Sequence, residues 1–253
     1  MNSLYLVVLT ATVFLVFTYQ ESFGSNQIFI SISSDRDAII YDGKWTSTEE
    51  WERTSLDTIP YDDGKTVILR TAHQGNFLYV FVDAVEDFTL DYDNDNAVIC
   101  IDGNNDKKTI DKNDFCFTAT LGKGNGTILQ GQNNSSLQVI QNHADFIGKS
   151  SASDQNDRYT AKPHPSYEFR IPIELFGRSD KYGFFFSMYD SSAKKFYNWP
   201  TNATRNNVDI PSPQLWGELI SPDKSLPEFD LPLLVLLPSL VLVFYFTRTK
   251  SKQ

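Results

Sequence analysis

Apolar residues along this chain fall into two patterns. At each end lies a long, almost uninterrupted hydrophobic run, Leu4 to Phe17 and Leu231 to Phe246. Between them, short β-branched and aromatic runs bounded by Gly, Asp and Asn recur, and helical spacing is scarce. The middle pattern predicts strands near 27–32, 66–72, 77–85, 96–102, 114–121, 136–140, 158–162, 167–171, 182–189 and 215–219. The stretch NFLYVFVDA (76–84) is apolar on both faces, as expected of a central strand, and FGRSDKYGFFFSMYD (176–190) shares that character. Glu49 to Arg53 and IPIELFG (171–177) read as single helical turns, and 141–166, rich in Ser, Asp, Asn and Pro, as a long surface excursion. About ten strands without crossover helices predict an all-β fold, an antiparallel β-sandwich or jelly roll.

The terminal runs bear on location. Leu4 to Phe17 has the length of a signal-peptide core, so 1–24 is read as a signal peptide, with an uncleaved anchor as the alternative because no Lys or Arg precedes it. Leu231 to Phe246 carries no charge and sits at the short edge of the ~17–25 residues a bilayer span needs. Pro232 and Pro238 interrupt it, but a soluble core helix would keep a polar face that this run lacks. Arg248, Lys250 and Lys252 then mark 248–253 as a cytoplasmic tail, 231–247 as the transmembrane segment and 220–230 as a stalk. The body, 25–219, is expected at the cell surface, tethered to the membrane.

Net charge is −10 at neutral pH, and the body lacks the Lys and Arg clusters that phosphate contacts require, which disfavours nucleic acid as a partner. The two cysteines suit export. Placing Cys100 opposite Cys116 pairs Ile99 with Phe117, Ile101 with Phe115 and Asp102 with Asp114, putting the apolar residues on one face. A cross-strand disulfide is expected, two free thiols being the alternative. Sequons at Asn125, Asn133, Asn134 and Asn202 are expected to carry glycan, against unmodified loops. Alternating acids make two candidate calcium sets, Asp91, Asp93 and Asp95, then Asp102, Asn104 and Asp106. A solvated acidic loop competes with the first, and neutralisation by Lys107, Lys108 and Lys112 with the second. Neither is an EF-hand, since Asn96 and Lys107 stand where that loop needs glycine. No nucleophile elbow, phosphate loop, zinc-protease or paired-cysteine motif is present, and His73, His143 and His164 read as isolated, so catalysis is not expected.

Two resemblances add to this reading. Pro227, Glu228 and Phe229, followed by the apolar run and basic end, resemble the PEF-type sorting tails of archaeal surface proteins, which implies a membrane sorting enzyme as a partner. YDGKWTSTEEWERTS, NFLYVFVDAVED, YEFRIPIELFG, YGFFFSMYDSS and NWP…QLWGEL, in that order across about 36–220, resemble the family 9 carbohydrate-binding module. That similarity implies a non-catalytic, calcium-containing sandwich binding glycan or cell-envelope polysaccharide between aromatic rings. Flat rings for sugar C–H faces and polar groups for hydroxyls are offered by Trp45, Tyr92, Tyr197 and Trp199, with Asn198 and Glu86, while Trp51 and Trp216 are assigned to the core. Two alternatives stay open. One is a structural surface-layer component whose aromatics merely pack. The other is a haem-binding sandwich of the related DOMON type, using Met188 and His73 as axial ligands.

Overall fold

The computed structural model describes residues 26–221, apart from 33–38, 48, 134 and 206–208. Both hydrophobic ends, the Pro227-Glu228-Phe229 motif and Asn134 therefore lie outside the described residues. Among those described, no helix is long and apolar enough to cross a membrane.

The described chain forms an all-β sandwich, its strands numbered in chain order. One sheet runs β1 (Gln27–Phe29), β14 (Gly217–Ile220), β12 (Lys181–Asp190), β6 (Asn96–Asp102), β7 (Asp114–Thr120), β8 (Thr127–Gly131) and β9 (Leu137–Val139). The free edge of β12 is shared, β14 taking Lys181 to Phe184 and β13 (Lys195–Trp199) taking Phe186 to Asp190. The other sheet runs β10 (Ile147–Ala152), β11 (Pro165–Pro172), β5 (Phe77–Asp83), β4 (Thr66–Gln74) and β2 (Ser31–Ile32), with β3 (Ser55–Pro60) also on β4. Among the described residues only β1 with β14 and β2 with β4 pair in parallel, and the other pairings are antiparallel.

Pattern explains which strands were legible. β6 and β7 pair in the expected register, Cys100 opposite Cys116 and Asp102 opposite Asp114, and the cysteines form a disulfide. Ile99, Ile101, Phe115 and Phe117 enter the core between the sheets, together with Phe184 and Phe186. Each such side chain contributes about 1.5–3 kcal/mol by leaving water. β5 is apolar on both faces because both are covered: Leu78, Val80 and Val82 face the inter-sheet core, Tyr79 and Phe81 an outer layer. The expected strand at 158–162 is absent, and the supposed excursion 141–166 contains β10 instead. β10 reads IGKSSA, a sequence with little strand propensity, yet all six residues pair with β11. β3, β8 and β13 likewise escaped the pattern; β3 is largely exposed, and partner strands hold all three. IPIELFG does form a 3-10 turn at Ile173–Leu175, whereas 49–53 makes only hydrogen-bonded turns.

The segment after Ile39 roofs the second sheet. Trp51 stacks on Phe81 with ring centroids 5.2 Å apart, and Trp45 meets Phe81 edge-on. The Arg70 guanidinium lies 5.1 Å from the Trp45 ring and donates to the Trp51 carbonyl. Beneath them Glu168, fully buried, accepts the Gly43 N–H at 2.8 Å and the Trp51 indole N–H at 2.9 Å. Gly43 has φ +93°, and a Cβ there would collide with the Ser150 backbone, so the D-G-K phrase requires its glycine.

Candidate functional site

The outer face of the first sheet carries a spacious concavity. Strand alternation turns Cys100, Cys116, Val98 and Phe185 away from the inter-sheet core, where they meet Trp216 and Ala203 in a separate cluster. Beside that cluster opens a groove of about 620 Å³. Its floor is Val98, Cys116 and Thr118, and its apolar walls are Ile110, Leu137 and Ile210. Ser136, Arg205 and Asp209 supply polar rims. Arg205 donates to Asn96 at 3.3 Å and lies 4.9 Å from the Phe196 ring; burial lowers its pKa to about 10, so it remains a cation.

One row of this face runs, by register, Asn198, Ser187, Val98, Thr118 and Thr127. In it, the buried Ser187 hydroxyl and the Asn198 side-chain carbonyl have no hydrogen-bond partner among the described residues. Buried polar groups left so cost about 1–3 kcal/mol each unless water or a ligand reaches them. A face with hydroxyl and amide groups beside apolar walls can meet both the hydroxyls and the C–H surfaces of a small polar ring.

The aromatic candidates are placed otherwise than a stacking platform requires. Trp45 is 1% and Tyr197 0% exposed, and both are core side chains, Trp45 packed against Phe81, Tyr159 and Arg70 under the roof and Tyr197 in the inter-sheet layer. Trp199, 9% exposed, packs its six-membered ring against Gly217 and tilts over Phe184. Tyr92 alone among them is exposed, on a turn beside Gly122. Glu86 is exposed and caps the Thr66 N–H at 2.6 Å. Asn198 is therefore the one candidate that shares a face with the groove. The sequence held no signal for Thr118, Arg205 or Asp209, which separate loops and strands deliver to one groove.

The acidic residues regroup. Of the first expected calcium set, only Asp95 joins a mutual carboxylate cluster; Asp93 is exposed on a left-handed turn (φ 68°). Asp95, Asp87 and Asp190 are all buried and bring one oxygen each within 4.8 Å of the others. Burial lifts the Asp95 carboxyl to about 6 and raises Asp87 as well, whereas Asp190 is lowered, its own burial outweighed by the Lys65 ammonium at 2.8 Å together with the Ala193 N–H and the Ser192 hydroxyl. The buried Tyr167 hydroxyl, close enough for the three carboxylates to raise its pKa further beyond the effect of burial, has no hydrogen-bond partner among the described residues. An all-oxygen donor set with surplus negative charge suits a hard divalent cation such as calcium. Asp91 contributes by its backbone, donating to the Asp95 carboxylate at 2.9 Å. In the second set Asp102 accepts the Lys107 N–H, Asp106 accepts from Asn104 and pairs with Lys108 at 3.4 Å, and Lys107 reaches Glu218 instead. Asp87 and Asp190 were unreadable as ligands because they come from segments about a hundred residues apart.

His164 is not isolated: it is fully buried with its ring against Asp83. Met188 packs in the inter-sheet core, and His73 bonds the Gly75 carbonyl at 3.0 Å. Asn125, Asn133 and Asn202 are exposed.

No family model and no curated protein matches the chain. Among solved structures it is similar to a family 9 carbohydrate-binding module from Caldicellulosiruptor kristjanssonii in complex with glucose. That likeness has 18% identity, covers 77% of this chain and 95% of that one, and has a TM-score of 0.50. The same module in complex with cellotriose gives 18% identity, 77% and 93% coverage and a TM-score of 0.49. At this identity the likeness establishes the fold.

Proposed function

We propose that the chain is a non-catalytic glycan-recognition module, held outside the cell by its C-terminal hydrophobic segment, whose ligand docks in the groove on the outer face of the first sheet. The observation that carries this reading is the groove itself. At about 620 Å³ it suits a short saccharide, and its floor joins a row in which Ser187 and Asn198 keep unpartnered polar atoms. The glucose held by the structurally similar module makes gluco-oligosaccharides the first probes. Calcium belongs to the same reading as a structural ion at Asp87, Asp95 and Asp190. The signal segment, the anchor, a sorting enzyme acting at Pro227-Glu228-Phe229 and glycans on the exposed sequons complete the proposal and agree with the Cys100–Cys116 disulfide.

A glycan array tests it. The chain should bind saturably to at least one oligosaccharide or envelope polysaccharide, and Thr118→Trp, which fills the groove, should abolish retention. Binding that survives Thr118→Trp moves the site elsewhere. Silence on every glycan favours a structural surface component, the reading that the burial of Trp45, Tyr197 and Trp199 supports.

A further inference from the structure

At the opposite sheet, a second ionisable cluster is built from three separate segments. Asp83 ends β5, Asp157 lies in the connection from β10 to β11, and His164 immediately precedes β11. The side chains of all three are completely buried. The imidazole Nε2 stands 2.6 Å from Asp83 Oδ1 and 3.9 Å from Asp157 Oδ2, and one ligand atom from each residue falls within 4.8 Å of the others.

The surroundings of the ring set its tautomer. The Lys162 carbonyl lies 2.8 Å from Nδ1, and a carbonyl can only accept, so Nδ1 carries a proton. Ser153 Oγ, also 2.8 Å from Nδ1, accepts the His164 backbone N–H and fixes the ring's attachment. Nε2 is thereby aimed at two carboxylates. Asp157 Oδ1 is engaged by the N–H groups of Tyr159 and Thr160, but among the described residues no donor reaches its Oδ2 or Asp83 Oδ2, and, beyond the effect of burial, the two carboxyl groups lie close enough to raise the Asp83 pKa. Converging acceptors in a dry interior demand positive charge between them: a proton on Nε2, a proton shared by the two carboxyl groups, or a cation. A proton on Nε2 answers Asp83 Oδ1 but leaves Asp157 Oδ2 too far away to be bonded. A metal ion can answer all three groups at once. An Nδ1–H held by a backbone carbonyl is also the arrangement that orients ligating histidines.

We propose that Asp83, Asp157 and His164 form a binding site for one divalent transition-metal ion of the zinc class, which clamps the loop between β10 and β11 to the end of β5. One imidazole nitrogen with two carboxylates suits zinc and cobalt better than calcium, which takes oxygen ligands. The site is distinct from the all-oxygen cluster at Asp87, Asp95 and Asp190 and from the groove on the other sheet.

The test uses the full chain, free of affinity tag and stripped with a chelator, titrated with zinc and separately with cobalt. One equivalent of zinc should bind per chain and raise the melting temperature by several degrees, and cobalt should give visible ligand-field absorption. Asp157→Asn keeps an Oδ1 for the Tyr159 and Thr160 N–H groups, so the stripped variant should melt near the stripped wild type. It should bind zinc at least about 100-fold more weakly. Long-range proton–nitrogen spectra of the wild type resolve the three imidazoles and keep the test valid should the variant misfold. Zinc should shift Nε2 of His164 and leave His73 and His143 unmoved. No uptake at tens of micromolar zinc, binding undiminished in a folded Asp157→Asn chain, or shifts confined to His73 or His143 would each overturn the proposal.

Discussion

Replacing Glu168 by Gln probes how the roof segment is held, and its outcome should depend on pH. Glu168 is fully buried, and its two oxygens accept from Gly43 and from the Trp51 indole. Glutamine can accept through one oxygen only, so one buried N–H is left facing an NH2 group, at a cost of about 1–3 kcal/mol. Burial, outweighing both hydrogen bonds, pushes the carboxyl from 4.5 up to about 8. Between those values the folded state keeps a proton that the unfolded chain has released. Wild-type stability therefore falls as pH rises through this window, by about 1.36 kcal/mol per unit, and the slope ends above the folded value. The glutamine variant has no such slope. Near pH 5 the wild type should be the more stable by about 2 kcal/mol. Two units higher the slope has removed about 2.7 kcal/mol, so the two proteins should converge near neutrality. Urea midpoints for both at three pH values measure this directly. A gap that stays constant with pH, or a variant already the more stable near pH 5, would refute the account of Glu168 as a protonated buried acceptor.

Three further outcomes are expected. Cys100→Ala combined with Cys116→Ala opens a loop closed at a sequence separation of 16 and should lower stability by about 3 kcal/mol, read as a fall in urea midpoint. Calcium at about a hundredfold excess over its dissociation constant should stabilise the chain by about 2.7 kcal/mol, reversibly with EDTA, and Asp95→Asn should abolish the gain; a calorimetric trace indifferent to calcium removes the ion from Asp87, Asp95 and Asp190. Gly43→Ala forces a side chain at φ +93° into the Ser150 backbone and should cost more than about 2 kcal/mol, whereas a neutral result would mean the roof is not seated on β10 as described.

What could be read without coordinates was what local chemistry decides. Short β-branched and aromatic runs marked β4 to β7, β11 and β12, because a strand with one or two buried faces must place apolar residues to match them. The Cys100–Cys116 pairing followed from the one register that keeps Ile99, Ile101, Phe115 and Phe117 on a common face. The sheet partners of β3, β8, β10 and β13 had no such signature, since a short or half-exposed strand takes its conformation from the neighbour it bonds to. Sites were decided at longer range still. Asp87 with Asp190, Asp83 with His164, and Thr118 with Arg205 are each about 80 to 100 residues apart in sequence, and no spacing rule links them. Whether a tryptophan is a ligand platform or a core residue is likewise unreadable from its identity. Trp45 and Trp199 are buried because other segments cross over them, and only the folded arrangement of those segments determines which ring faces meet water.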